Sequence, residues 1–299
     1  MTETYKVAVL GLGAMGLPMA TRLATQLTVH GFDIAAARLN LAEEADVRTF
    51  ASARAAAEGT DALLLAVRNG EQLNDVLFGE NGVASVLKPG AVVILTSTVG
   101  TEAIPATVAR LADYGVTLVD APLSGGPKRA GEGDLLIVVG AAPAALEAAR
   151  PVLELLASTL TVVGDKPGDG QALKTVNQLL CGIHIAAAAE AMALADALGL
   201  DQAKTLAALE AGAAGSFMLS NRGPRILEAY TEGGAEVLSR LDIFVKDMGI
   251  VGKATRAAGL AAPVAAAAEQ LYLLGQAQGL AAADDSAVIK VVAPTKRTA

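Results

Sequence analysis

Seven short strand candidates punctuate the first 164 residues of the chain, and beyond them the strand signal stops. They are Val7–Leu10, Leu27–Phe32, Ala62–Val67, Val92–Thr96, Thr117–Asp120, Leu135–Val139 and Leu160–Val163. Several are β-branched and continuously apolar. That pattern marks strands buried on both faces of a sheet. Helical stretches lie between many of them, among them Pro18–Gln26, Glu102–Ala112 and Ala144–Leu156. Strand–helix alternation predicts a mainly parallel sheet with helices on both faces. The glycines in Gly125-Gly126-Pro127 and Gly131-Glu132-Gly133 read as a loop joining the later strands, which makes that part of the sheet antiparallel.

Beyond Gly164 the character of the chain changes. Asp165-Lys166-Pro167-Gly168-Asp169-Gly170 is a turn-rich link, and a helical pattern then runs from Gln171 to about Leu198, ended by Gly199. At ~1.5 Å per residue that helix is on the order of 40 Å long, enough to leave one domain and form the core of the next. Further helices are expected over Asp201–Ala211, Pro224–Ala229, Ala235–Ala258 and Pro263–Leu280, with a frayed tail over Ala293–Ala299. The expected domains are 1–164, an α/β domain, and 165–299, an all-helical domain. A chain of 299 residues is long enough for both.

Composition excludes several classes of partner. With 53% hydrophobic and 18% charged residues the chain is globular. Its net charge of −8 disfavours nucleic acid. The longest apolar run, Ile185 to Leu200, contains Glu190 and Asp196, so it reads as a buried helix and no membrane partner is expected. No charged n-region and apolar h-region precede the first strand, and a cytoplasmic location is expected. Cys181, the single cysteine, reads as a small core side chain.

The first strand runs directly into Gly11-Leu12-Gly13-Ala14-Met15-Gly16, the spacing GxGxxG, and a helix follows. Alone the spacing is weak; between strand and helix it is a dinucleotide-binding turn. Gly11 permits the tight turn, Gly13 lets backbone approach a pyrophosphate, and Gly16 lets helix and strand pack closely. The helix N-terminus offers N–H groups to the anion. Asp33 follows the second strand, 22 residues after Gly11, where a carboxylate accepts hydrogen bonds from adenosine ribose hydroxyls and repels the extra phosphate of NADP. NAD is therefore the expected cofactor and NADP the lesser alternative, with Arg38 the one nearby group able to favour NADP. Asp33 also fits a helix N-cap, and His30, just before it, reads as structural.

Four segments, in order, resemble the β-hydroxyacid dehydrogenase family: Gly11 to Met19, Asp120-Ala121-Pro122-Leu123-Ser124-Gly125-Gly126, Gly168-Asp169-Gly170-Gln171-Ala172-Leu173-Lys174-Thr175-Val176-Asn177-Gln178, and Phe244-Val245-Lys246-Asp247-Met248. The second and third are far more specific than the glycine motif. Within the family, Gln178 to Ala195 and Leu241 to Asp247 look most like the L-threonate dehydrogenase branch, which implies a four-carbon sugar acid as substrate. The resemblance implies a Rossmann-type N-terminal domain, a long interdomain helix and an all-α C-terminal domain. It also implies a homodimer or homotetramer.

Alcohol oxidation needs a hydride acceptor, a base for the hydroxyl proton, and groups that orient the substrate. The resemblance makes Lys174 the acid/base and Asn177 its catalytic and substrate-binding neighbour. A helix N-terminus and partial burial would both disfavour the lysine's charge; from spacing alone the favoured reading is a solvated lysine on an exposed helix end. Ser124, Gly125 and Gly126 offer a hydroxyl and approachable N–H groups for a substrate carboxylate. Thr98 is carried over as a nicotinamide neighbour, and Val67 and Asn69 line the same crevice at the preceding strand's end. The resemblance implies that Lys246 reaches the cofactor, with Asp247 as its ion-pair neighbour; from sequence alone the pair is a solvated one. Gln178 reads as packing or helix surface, and Lys128 and Arg129 as surface charges. His184, ten residues beyond Lys174, reads as a buried structural histidine. Ser216, Phe217 and Asn221 fall where a substrate-facing loop is possible. No residues show metal-ligand spacing, and a metal-free reaction is expected. The competing readings are an imine reductase, which generally lacks the lysine and the serine–glycine loop, and a non-catalytic NAD-binding protein.

Overall fold

The structure, a computed structural model, describes residues 5–295; the last residues of the expected frayed tail lie outside them. The chain divides into two compact units, Met1–Lys174 and Thr175–Ala299.

The first unit is built on a nine-stranded sheet. Its strands are β1 (Lys6–Leu10), β2 (Thr28–Phe32), β3 (Arg48–Thr49), β4 (Ala62–Leu65), β5 (Val92–Leu95), β6 (Thr117–Asp120), β7 (Leu123–Ser124), β8 (Leu135–Gly140) and β9 (Ala157–Gly164). The helices among them are α1 (Gly16–Ala24), α2 (Ala36–Glu43), α3 (Ala53–Ala57), α4 (Gly70–Phe78), α5 (Ile104–Ala112), α6 (Gly126–Glu132) and α7 (Pro143–Leu156). The order β3-β2-β1-β4-β5-β6 is all parallel and reverses direction between β1 and β4. In such a sheet ligands bind at the carboxyl ends of the strands beside that reversal. β8 then runs antiparallel to β6 and β7, and β9 lies parallel to β8.

The unbroken apolar runs follow from what covers the sheet. Val7, Val9, Leu64, Ile94 and Val119 face one way and pack with Met19 and Leu23 of α1 and Val152 and Leu153 of α7. Ala8, Leu10, Leu63, Leu65, Val93 and Leu95 face the other and pack with Leu73 and Leu77 of α4 and Ile104 and Leu111 of α5. Each such leucine, removed from water, contributes ~1.5–3 kcal/mol. His30 is structural, its Nδ1 3.0 Å from the Ala56 carbonyl oxygen and its ring beside Phe50.

The chain between β7 and β8 is not the loop its glycines suggested. It is the seven-residue helix α6, entered through Gly126-Pro127 and closed by Gly133 in the left-handed conformation, φ 72°. Proline just inside a helix start and glycine just past its end are boundary signals, and here they outweigh the reading of a glycine-rich loop.

The long helix α8 (Asp169–Ala197) has 29 residues. It is long and apolar enough to span a bilayer by length and composition, and half of its apolar window is buried within the protein. The second unit continues with α9 (Gln202–Ala211), α10 (Phe217–Glu228), α11 (Leu241–Ala257), α12 (Pro263–Ala277) and α13 (Ile289–Val292). Ile185 and Met192 of α8, Phe244 and Met248 of α11 and Tyr272 of α12 form its core. Two expectations fail here. Pro224 does not open a helix but lies inside α10, whose start is set by the Ser216 hydroxyl accepting from the Leu219 N–H. The helix expected from Ala235 begins only at Leu241; the N–H groups of Leu238 and Ser239 go instead to the Asp284 carboxylate. The same carboxylate accepts from Arg225 at 2.6 Å, in a buried pair.

Candidate active site

Local chemistry builds the glycine turn after β1. Gly11 has φ 91°, and a Cβ on it would lie 2.5 Å from the Ala66 carbonyl oxygen. A Cβ on Gly16 would come 1.7 Å from the Gly11 carbonyl oxygen, so only glycine lets α1 start there. Gly13 differs: a Cβ would meet nothing within 4 Å. The space above Gly13 is therefore open to a ligand, not filled by protein. The start of α1 has no acidic side chain and no side-chain cap, which suits an anion. Leu12, Ala14 and Met15 complete the turn.

Asp33 is not a helix N-cap; α2 starts three residues later. Its Oδ2 accepts from the Leu12 N–H at 2.7 Å and its Oδ1 from the Ala35 N–H at 2.8 Å. A carboxylate has about four acceptor sites, so capacity remains for ribose hydroxyls. Arg38 donates from Nε to the Leu12 carbonyl at 2.6 Å, so Leu12 is held on both sides by charged groups. Val67 is half-buried, while Asn69 is exposed and caps α4, accepting from the Gln72 N–H at 2.9 Å.

Thr98 is half-buried in the segment after β5, and that segment is fixed by a residue assigned no role from its motif. Gln171, wholly buried near the start of α8, accepts at Oε1 from the N–H groups of Val99, at 2.8 Å, and Gly100, at 3.1 Å. Its Nε2 donates to the Ser97 carbonyl at 3.0 Å and to Asp120 Oδ1 at 2.8 Å. Asp120 Oδ2 accepts the N–H of Gln171 at 2.8 Å and of Gly168 at 2.9 Å. Burial pushes the Asp120 carboxyl above its ordinary value, against the pull of those hydrogen bonds. The sequence signal was there: Gln171 is three residues before Lys174, and Asp120 heads the Ser124 segment.

Lys174 is only 8% exposed, so the solvated helix-end reading is wrong. Its Nζ donates to Ser124 Oγ at 3.1 Å. Gly125, at φ 146°, has no room for a Cβ, which would press on Leu135 and Arg129; Gly126, at φ 78°, faces open space. The first unit thus sets an amine, a hydroxyl and approachable backbone side by side. Arg129 pairs with Asp134.

In the second unit Asn177 donates to Gln178 Oε1 at 2.8 Å, and Gln178 donates to Asp247 Oδ2 at 2.5 Å. Lys246 Nζ lies 2.8 Å from Asp247 Oδ1. Gln178 is therefore a buried polar partner, not packing or surface, because Asp247 on α11 faces it. The Lys246–Asp247 pair is not a solvated one either, since Asp247 is buried. His184 is half-buried. Ser216 caps α10 and Asn221 lies within it, accepting from Arg222 and Arg225, so the expected loop there is a helix start.

Residues 6–164 match the family model described as the NAD binding domain of 6-phosphogluconate dehydrogenase, and residues 168–292 that described as NAD-binding of NADP-dependent 3-hydroxyisobutyrate dehydrogenase. The chain is 38% identical to the L-threonate dehydrogenase of Cupriavidus necator, over 95% of each chain. It is 31% identical to the 2-hydroxy-3-oxopropionate reductase of Escherichia coli, over 96% of this chain and 97% of that one. The chain belongs to the β-hydroxyacid dehydrogenase family. A crystal structure of 3-hydroxyisobutyrate dehydrogenase from Salmonella typhimurium superposes with a TM-score of 0.88 at 36% identity, covering 96% of this chain and 99% of that one. This dehydrogenase is thus an oxidoreductase with the Rossmann-type and helical domains of its family and a nicotinamide dinucleotide as cofactor.

Proposed function

We propose that this dehydrogenase oxidises a small hydroxy acid, a four-carbon sugar acid of the L-threonate type, using NAD in preference to NADP. The observation that carries the reading is the buried Lys174 amine 3.1 Å from the Ser124 hydroxyl, beside a turn opened by Gly125 and Gly126. In this reading the substrate carboxylate meets Ser124 and the glycine N–H groups. Lys174 takes the proton of the alcohol as its carbon gives up hydride, and returns it in the reverse direction. Bound nicotinamide supplies the hydride acceptor.

Gly11 to Gly16 hold the pyrophosphate, Asp33 the adenosine ribose, and Val67, Asn69 and Thr98 line the nicotinamide side; Asn177 orients the substrate and Lys246 contacts the cofactor. Asp33 favours NAD, since its carboxylate repels a ribose phosphate. The substrate class rests on the curated L-threonate dehydrogenases among the relatives. The assembly is a homodimer or homotetramer joined through the helical unit.

The test is NAD and NADP reduction against a panel containing L-threonate, 3-hydroxyisobutyrate and glycerate. Faster turnover of another acid would displace the substrate assignment. Lys174→Ala should lower kcat by ~10²-fold or more while NAD binding survives; unchanged turnover would remove the lysine from its role.

A further inference from the structure

In the second unit a single carboxylate fixes the direction of two side-chain amides in series. An ionised carboxylate can only accept, so Gln178 must turn its NH2 toward Asp247, as it does. Its carbonyl end is then committed to the other side, where it accepts from Asn177 Nδ2 at 2.8 Å. The second N–H of Asn177 points at Cys181 Sγ, 3.4 Å away. With both amide hydrogens turned toward protein partners, what Asn177 has left to offer is its carbonyl oxygen. Lys246 Nζ lies 2.8 Å from the other oxygen of Asp247. The central members, Gln178 and Asp247, are buried, so water does not compete for their bonds.

We propose that Asp247, acting through Gln178, is a positioning residue that sets the polarity of Asn177, so that Asn177 meets the substrate as a hydrogen-bond acceptor and takes its bond from a substrate hydroxyl other than the one that gives its proton to Lys174. This rests on the reading of the protein as a hydroxy-acid dehydrogenase with Asn177 at the substrate. It deepens that reading: an acceptor at Asn177 favours a polyhydroxy acid, which keeps a further hydroxyl to donate there, over a hydroxy acid whose one hydroxyl is engaged by Lys174.

Two variants break the order differently. Gln178→Met cuts the link from Asn177 while leaving the Lys246–Asp247 pair in place. Asp247→Asn keeps the volume and the hydrogen-bonding capacity but lets both amides reverse. The measurements, on full-length protein, are exchange of the Asn177 side-chain NH2 protons by NMR, kcat and KM with L-threonate, the NADH dissociation constant, and thermal unfolding. In wild type the Asn177 NH2 protons should be protected. Gln178→Met should speed their exchange at least tenfold and lower kcat/KM about tenfold, with NADH affinity within about twofold. Asp247→Asn should also lower kcat/KM and serves alone if Gln178→Met does not fold.

A merely structural role would lower the unfolding temperature without linking exchange at Asn177 to kcat/KM. Free exchange at Asn177 in wild type, or wild-type kcat/KM in folded variants, would overturn the proposal. If wild type turns over no hydroxy acid, the functional reading fails, while the exchange measurement still decides the amide order.

Discussion

The carboxylate of Asp120 grips Gln171 twice, at its backbone N–H and at its side-chain amide, each at 2.8 Å. Because the carboxylate only accepts, it sets which way the Gln171 amide points. The carbonyl end is left to collect the N–H groups of Val99 and Gly100. The segment after β5, which carries Thr98, and the helix turn that carries Lys174 are thereby held by one side chain.

Gln171→Leu should therefore cost more than an ordinary core change. It strands two backbone N–H groups, the Ser97 carbonyl and one oxygen of Asp120. At ~1–3 kcal/mol for each buried unsatisfied group, a loss of roughly 2–4 kcal/mol is expected after local relaxation. Denaturant unfolding checks this; a loss under ~0.5 kcal/mol, typical of a surface substitution, would show that the network does not hold the loop.

The pH dependence of stability should carry the mark of Asp120. Its folded carboxyl is pushed above its ordinary value of 3.8, chiefly by burial. The folded state therefore binds this proton more tightly than the unfolded state does. Its contribution to stability is fully present below the unfolded value and is lost as pH rises through the raised folded value. Stability of wild type minus that of Asp120→Asn, followed by urea unfolding from acid to neutral pH, should fall over that window. A flat difference would contradict the shift.

The three motif glycines should behave differently when changed to alanine. Gly16→Ala and Gly11→Ala place a Cβ 1.7 Å and 2.5 Å from backbone oxygens and should destabilise the fold. Gly13→Ala meets open space, so its unfolding temperature should stay near wild type while NADH affinity falls. Fluorescence titration with NADH beside thermal unfolding separates the cases. Full affinity in Gly13→Ala would move the pyrophosphate elsewhere.

Asp33→Ser should narrow the preference for NAD over NADP, because the charge that opposes a ribose phosphate is gone. It should also lower stability slightly, since Asp33 anchors the N–H of Leu12. The ratio of kcat/KM with the two cofactors is the readout, and an unchanged ratio would count against Asp33 at the ribose.

Much of this was legible before the structure. Runs such as Ala62–Val67 and Val92–Thr96 could only be strands with both faces covered, and the structure covers them with α1 and α7 on one side and α4 and α5 on the other. The glycine spacing fixed the turn after β1 because sterics there are local. The short helices α2 and α3 left no clear periodic signal, and α6 was hidden by its own glycines.

The polar core was not legible. Gln178 reads as helix surface until α11 brings Asp247 against it, and Gln171 reads as an ordinary helical residue until β6 brings Asp120 against it. Local sequence determined the strands, the nucleotide turn and the long helix, because backbone sterics and hydrophobic periodicity act over a few residues, whereas Lys174 stood out only through the family resemblance. Tertiary structure alone decided which amides face which carboxylates, since those partners stand 51 and 69 residues apart and a hydrogen bond's direction is set only when both are in place.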